Sequence, residues 1–126
     1  MIRQMAFILG AVFLLIGVLG FVPSATTDGM LLGMFHVNPA HNFVHLLSGV
    51  VAVVAGLSGG SAPLWFFRVF GIIYGLVAIL GFMGGSEPVL GMIANNRADV
   101  WLHALLSLVS LILGFLPIGH LRHAHA

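Results

Sequence analysis

Two stretches of the chain repeat each other, and together they decide how the sequence folds. Residues 32–46 read LGMFHVNPAHNFVHL and residues 90–104 read LGMIANNRADVWLHA, an offset of 58 positions. A second pair precedes them, because residues 10–21 read GAVFLLIGVLGF and residues 71–82 read GIIYGLVAILGF, an offset of 61. The shared Leu-Gly-Met and the matched asparagines and histidines indicate an internal duplication. The offset falls from 61 to 58 along the chain, which predicts a loop three residues shorter in the second half.

The chain around these repeats is too apolar to form a water-exposed surface. Of its 126 residues, 60% are hydrophobic and 6% are charged, with a formal net charge of +1, whereas soluble domains carry about 25% charged residues. This composition argues against a soluble domain and against disorder, and the lack of a basic cluster argues against nucleic-acid binding. Without cysteine there are no disulfides or thiolate ligands. The sequence therefore predicts an integral membrane protein.

Four apolar stretches are long enough to cross a bilayer, which takes about 20 residues of helix. Helices are required because lipid cannot satisfy backbone hydrogen-bonding groups. We predict spans at about residues 5–22, 40–57, 64–83 and 98–117. The expected fold is an all-α, integral membrane four-helix bundle that occupies residues 1–126 as a single transmembrane domain. Since each repeat holds two spans, the two halves should be parallel repeats about an axis along the membrane normal.

The arginines predict that both termini face the cytoplasm. Arg3, Arg68 and Arg122 fall on one side of a four-span arrangement, and cytoplasmic loops are enriched in arginine and lysine. The first apolar run has features of a signal peptide, because Pro23–Ala25 are similar to a cleavage region. We expect this run to be retained as a span, since it has a counterpart in the second half.

The repeat predicts that four ionisable side chains converge. His45 is equivalent to His103, and His41 is equivalent to Asp99. Residues four apart share a helical face, so inward-facing helices would gather three imidazoles and a carboxylate near the outer end of the bundle. An ionisable side chain inside a span is a functional candidate. We expect His45 and His103 to be cofactor ligands, and all four residues to be metal ligands.

Helix capping is the structural alternative for part of this cluster. Asn38 and Asn96 are good N-caps, and Asp99 would then lie at the third helical position, where a carboxylate bonds back to the cap. The two deeper histidines are not explained by capping. Their structural alternative is a hydrogen bond to a backbone carbonyl, to Asn42 or to Ser48.

The segment around the first histidine pair resembles that of a known family. Residues 38–47 read NPAHNFVHLL, which resembles the N-P-x-H-N-x-x-H-L segment of the bacterial four-span membrane family called domain of unknown function 4383. The family's weaker motif at the fourth helix is matched by Asn96, Asp99, Trp101 and His103. The resemblance implies a four-helix fold and no activity. We expect the protein to lie in a bacterial inner or photosynthetic membrane.

Three ligands suit the predicted cluster. A divalent metal ion would use His41, His45, Asp99 and His103, since imidazole with carboxylate suits zinc, iron, manganese or copper. Haem would take His45 and His103 on opposite faces, and chlorophyll would take one histidine on its magnesium. Both tetrapyrroles leave His41 and Asp99 unused, so the ion is slightly favoured.

The expected function is that of a non-enzymatic membrane subunit of a larger respiratory or photosynthetic complex. No nucleophile–base pair or phosphate loop is readable, and four short spans lack the broken helices of a transporter. The expected partners are lipid and other membrane subunits, or further copies of the chain. The competing interpretation is a purely structural subunit, in which the polar residues only cap and bond helices, and the seventeen glycines serve packing.

Two smaller groups of residues complete the predictions. Trp65, Trp101 and Tyr74 are candidates for the aromatic belt at the membrane interface. The C-terminal histidines could bind metal, but their spacing is more typical of a solvated tail; they are His120, His123 and His125.

Overall fold

The computed structural model of the protein describes residues 1–116. It contains four helices that are long and apolar enough to cross a membrane: α1 (Ile2–Leu19), α2 (Pro39–Ser58), α3 (Ala62–Gly84) and α4 (Arg97–Phe115). Helix α1 packs along α2, and α3 packs along α4, so each repeat forms one helical hairpin. The prediction of a four-helix bundle made of two parallel two-helix repeats is confirmed.

The first helix differs from its predicted span, because it begins and ends three residues earlier. The chain leaves the helix after Leu19, and the amides of Phe21 and Val22 bond to carbonyls three residues back, as in tight turns. At the other end, Arg3 Nε donates to Gly56 O at 2.6 Å, which holds the first turn of α1 against α2. The last residue of the predicted fourth span, Pro117, lies outside the described residues.

The connection between α1 and α2 forms a small antiparallel sheet that no sequence pattern predicts. Its strands, in the order β1-β2-β3, are β1 (Thr26–Thr27), β2 (Met30–Leu31) and β3 (Phe35–His36). Gly29 makes the first turn with a φ of 75°, a conformation that favours glycine. The connection between α3 and α4 is shorter, as predicted, and has a single bridge between Val89 and Ile93. Strands of two residues are too short for an alternating pattern to be recognised.

Glycines allow the two helices of each hairpin to approach closely. A Cβ atom on Gly10 would lie 2.7 Å from Val53 Cγ2, and one on Gly71 would lie 2.8 Å from Leu111 Cδ2. These are equivalent pairs in the repeat, so the same contact is built twice. The glycines at these positions serve packing inside the bundle, as expected.

Both predicted asparagine caps are present. Asn38 Oδ1 and Asn96 Oδ1 each accept from the amide three residues later, at 2.9 Å. Each cap also donates across to the other half, from Asn38 Nδ2 to Met92 O at 2.8 Å and from Asn96 Nδ2 to Met34 O at 2.9 Å. Met34 and Met92 are equivalent in the repeat. This reciprocal pair of bonds fixes the first turns of α2 and α4 next to each other.

Candidate metal centre

Three histidines meet just inside the first turns of α2 and α4. His41, His45 and His103 are buried, and one ring nitrogen from each lies within 4.8 Å of the other two. The ring centroid of His41 lies 4.3 Å from that of His45 and 5.5 Å from that of His103. The two repeat-related rings, His45 and His103, are 6.4 Å apart. The structure therefore brings together three of the four predicted metal ligands.

Asp99, the fourth predicted ligand, lies outside this group. Its Oδ2 accepts from the amide of Asn96 at 2.9 Å and from the amide of His36 at 3.1 Å. The bond from Asn96 completes the predicted capping box at the start of α4. The bond from His36 joins β3 to α4 and so links the two halves. The role of Asp99 in this structure is to satisfy backbone amides.

The peptide backbone of His36 also orients the first histidine of the cluster. His41 Nδ1 bonds to His36 O at 3.0 Å. A carbonyl oxygen only accepts, so Nδ1 carries the proton, and in the neutral ring Nε2 keeps a lone pair. Within residues 1–116, this Nε2 is buried and makes no hydrogen bond of ordinary length, and the Ala94 backbone lies near the ring. A histidine with one ring nitrogen on a carbonyl and the other free of a close partner has the arrangement found in metal-binding histidines.

His45 is the least satisfied polar side chain of the cluster. Among the described residues, both of its ring nitrogens and Nδ1 of His103 are buried without a partner. The partners expected for His45 do not reach it: Ser48 Oγ pairs with the Tyr74 hydroxyl at 3.0 Å, and Asn42 Oδ1 is itself unpaired. Each such buried group costs about 1–3 kcal/mol. A metal ion bonds one nitrogen of each ring, so it would remove part of that cost and leave one nitrogen of His45 without a partner.

Aromatic rings pack against the cluster with the symmetry of the repeat. The centroid of Phe13 lies 5.5 Å from that of His45, and the centroid of Tyr74 lies 5.3 Å from that of His103. Tyr74 is buried, with 4% of its surface exposed, so its assignment to the interfacial belt is wrong. The signal that could have placed it is its equivalence to Phe13 at the offset of 61.

The dimensions of the cluster suit a small ion better than a flat ring. Zinc–nitrogen bonds are about 2.0–2.1 Å, so neighbouring ligands of a tetrahedral ion lie about 3.4 Å apart. Since the ring nitrogens lie within 4.8 Å of one another, binding requires the rings to move inward by up to about 1.4 Å. A tetrapyrrole between His45 and His103 would have to displace His41. Gly49 leaves no gap either, since a Cβ there would lie 2.8 Å from Leu14 Cγ.

The remaining predicted residues lie apart from the cluster. Trp65 and Trp101 are 55% and 70% exposed, as an interfacial position requires, and the Arg68 guanidinium lies 4.8 Å from the Trp65 ring centroid. The predicted tail histidines lie outside the described residues; they are His120, His123 and His125.

Fold and site together define a class: a membrane-spanning four-helix protein with a buried histidine cluster at the start of two helices. A model of the family described as Domain of unknown function (DUF4383) matches residues 3–116. The chain therefore belongs to this family, as its NPAHNFVHLL segment predicts. No curated protein and no solved structure matches the chain.

Proposed function

We propose that this protein is a non-enzymatic membrane protein that binds one divalent transition-metal ion through His41, His45 and His103. The observation that carries the proposal is the set of buried ring nitrogens within 4.8 Å of one another, several of which have no partner in the described part of the chain. Imidazole is a ligand for zinc, copper, iron and nickel. Three imidazoles leave a fourth position open on a tetrahedral zinc ion.

The surroundings of the cluster support a bound cation. A divalent ion on three neutral rings would place an uncompensated charge in the membrane, which is costly. The Asp99 carboxylate accepts a hydrogen bond from the His36 amide, and the His36 carbonyl accepts one from His41 Nδ1. The carboxylate is therefore connected to His41 through the His36 backbone. Asp99 thus offers partial charge compensation without being a ligand. An anion bound at the fourth coordination position of the ion would provide more charge compensation.

The proposal includes an assembly role. The helices expose apolar side chains along their lengths, such as Leu15, Leu57, Leu76 and Leu108, and the described loops form only short turns and a small sheet. Such a chain has little folded material outside the bilayer, so we propose that it acts with other membrane subunits. Cytoplasmic termini, proposed from the arginine pattern, would put the metal near the outer face.

Metal analysis of the purified protein tests the proposal. The protein should carry a tag without histidine, and His120, His123 and His125 should be replaced by alanine to remove binding by the tail. An absorption spectrum from about 350 to 900 nm, before and after dithionite, detects haem or chlorophyll. Elemental analysis after equilibration with zinc or cobalt then gives the stoichiometry. The test variant is His45→Leu with His103→Leu, and the matched control is His36→Gln, which changes a histidine outside the cluster.

We expect no pigment bands, one ion per chain, loss of that ion in the double variant and retention in the control. Circular dichroism should show that the double variant keeps its helices. Pigment bands that vanish in the double variant would show that the histidines bind a tetrapyrrole and not a metal ion. Absence of any bound ion in the parent protein would leave the purely structural interpretation.

A further inference from the structure

An apolar groove lies on the second hairpin, between the C-terminal part of α3 and the first turns of α4. Its volume is about 580 Å³, within the range of ligand sites. Its walls are mainly apolar, and they include Ala78, Phe82, Val100, Trp101 and Ala104. Phe82 and Trp101 are 76% and 70% exposed, so the groove opens on the outer surface of the bundle.

The equivalent place on the first hairpin is filled. Leu46 stands where the second hairpin has Ala104, and it packs on α1, since a Cβ on Gly17 would lie 2.7 Å from Leu46 Cδ2. Phe21 and Phe43, the equivalents of the two exposed aromatic walls, contact each other with ring centroids 5.4 Å apart. The groove therefore arises from local side-chain differences, chiefly a leucine that is an alanine in the second half.

A positive charge marks one end of the groove. Arg97, the first residue of α4, lines it, whereas the equivalent position in the first half is Pro39. Arg3 and Arg68 donate to backbone carbonyls through Nε, and Arg97 is the one of the three described arginines without such a partner. The start of a spanning helix lies near the membrane interface, where lipid phosphates are found. A guanidinium can bind a phosphate with two parallel hydrogen bonds.

We propose that this groove binds an anionic phospholipid, with an acyl chain between Ala78, Ala104 and Trp101 and the phosphate on Arg97. The arrangement of the groove matches that of the lipid, because a cation lies at the interface end and apolar walls extend towards the hydrocarbon. The opening faces the membrane, so a lipid reaches it by lateral diffusion. The site is separate from the histidine cluster and does not depend on bound metal.

Quenching of Trp101 fluorescence by brominated lipid tests the proposal. The chain has two tryptophans, so Trp65→Phe leaves Trp101 as the sole reporter. The protein is reconstituted in phosphatidylcholine vesicles with increasing fractions of brominated phosphatidylglycerol, and in a parallel series with brominated phosphatidylcholine. The test variants are Ala104→Leu combined with Ala78→Gly, which copies the Leu46–Gly17 pair of the first hairpin, and Arg97→Gln. The matched control is Ala11→Leu, an equal change at an exposed position of α1.

We expect brominated phosphatidylglycerol to bind about fivefold more tightly than brominated phosphatidylcholine, the factor typical of one arginine at a membrane surface. The Ala78→Gly, Ala104→Leu double variant and Arg97→Gln should each bring this ratio close to one, while Ala11→Leu keeps it. Two independent variants guard against a folding defect in either. Equal quenching by both lipids in the parent protein, or a preference unchanged in both variants, would overturn the proposal.

Discussion

The two hairpins have the same backbone arrangement and differ in a few side chains. Those side chains form the third member of the histidine cluster in one hairpin and the apolar groove in the other. Equivalent glycines bring the helices together in both halves, and equivalent asparagines cap α2 and α4 and bond across to the other half. Three residues after each cap, the first hairpin has His41 and the second has Asp99. The histidine joins the cluster, whereas the aspartate bonds backbone amides.

Some of the repeated residues are explained by folding and others are not. Residues that are the same in both halves and satisfied in both, such as the caps, are explained by folding. His45 and His103 are the same in both halves but are left with unpaired nitrogens, which folding alone does not explain. Residues that differ, such as Leu46 and Ala104, give each hairpin its own surface.

The glycine contacts should give the largest effect on stability. Gly10→Ala would bring a Cβ to 2.7 Å from Val53, and Gly71→Ala would bring one to 2.8 Å from Leu111. Each substitution should lower the free energy of unfolding by about 1–3 kcal/mol, as overpacking does. Denaturation in mixed micelles, followed by circular dichroism, measures it. Gly84→Ala is the control, since its Cβ would have no neighbour closer than 4.0 Å; a loss in the control as large as in the test variants would refute the contact.

The caps should give the next effect, and it should be the same in both halves. Asn38→Ala and Asn96→Ala each remove a capping bond and a bond to the opposite loop. We expect each to cost about 1–2 kcal/mol, the upper range for a helix cap. The same denaturation experiment compares them. If one variant keeps the stability of the parent protein while the other is destabilised, the two halves do not bond to each other reciprocally.

Tyr74→Phe makes the second hairpin match the first, which has Phe13 at this position. The variant removes the bond between the Tyr74 hydroxyl and Ser48 and keeps the ring packing. The expected loss is about 0.5–1.5 kcal/mol, the typical net worth of a hydrogen bond. Metal stoichiometry should not change, because the hydroxyl bonds Ser48 and not a cluster nitrogen. Loss of the ion in this variant would place Tyr74 in the metal centre.

Asp99→Asn should give the smallest effect of these variants, and its zinc affinity is to be compared with that of a variant at the equivalent residue, His41. An asparagine oxygen still accepts the two backbone amides but carries no charge to compensate the ion, so zinc affinity should fall by less than about tenfold. His41→Asn removes a ligand and should lower the affinity at least about tenfold. Competition with a fluorescent zinc chelator measures both variants. A larger loss with Asp99→Asn than with His41→Asn would make the carboxylate a ligand.

Most of the fold could be predicted from the sequence, because hydropathy and the internal repeat are both read directly from the order of the residues. The end of α1 could not, since residues 20–22 are apolar but lie in turns. The capping box of Asp99 and the meeting of the histidines followed from the repeat. What spacing does not show is which nitrogens find partners, and so the unpaired state of His45 emerged only from the structure. The groove was equally hidden, because it depends on how Leu46 packs.

X-ray absorption at the zinc edge tests most directly whether the three buried histidines hold one metal ion. The sample is the reconstituted protein loaded with one equivalent of zinc, with the tail histidines replaced by alanine. We predict a first shell of nitrogen or oxygen at about 2.0–2.1 Å, with the outer-shell scattering of three imidazoles. Scattering from one imidazole or none, or failure of the protein to retain zinc, would contradict the claim.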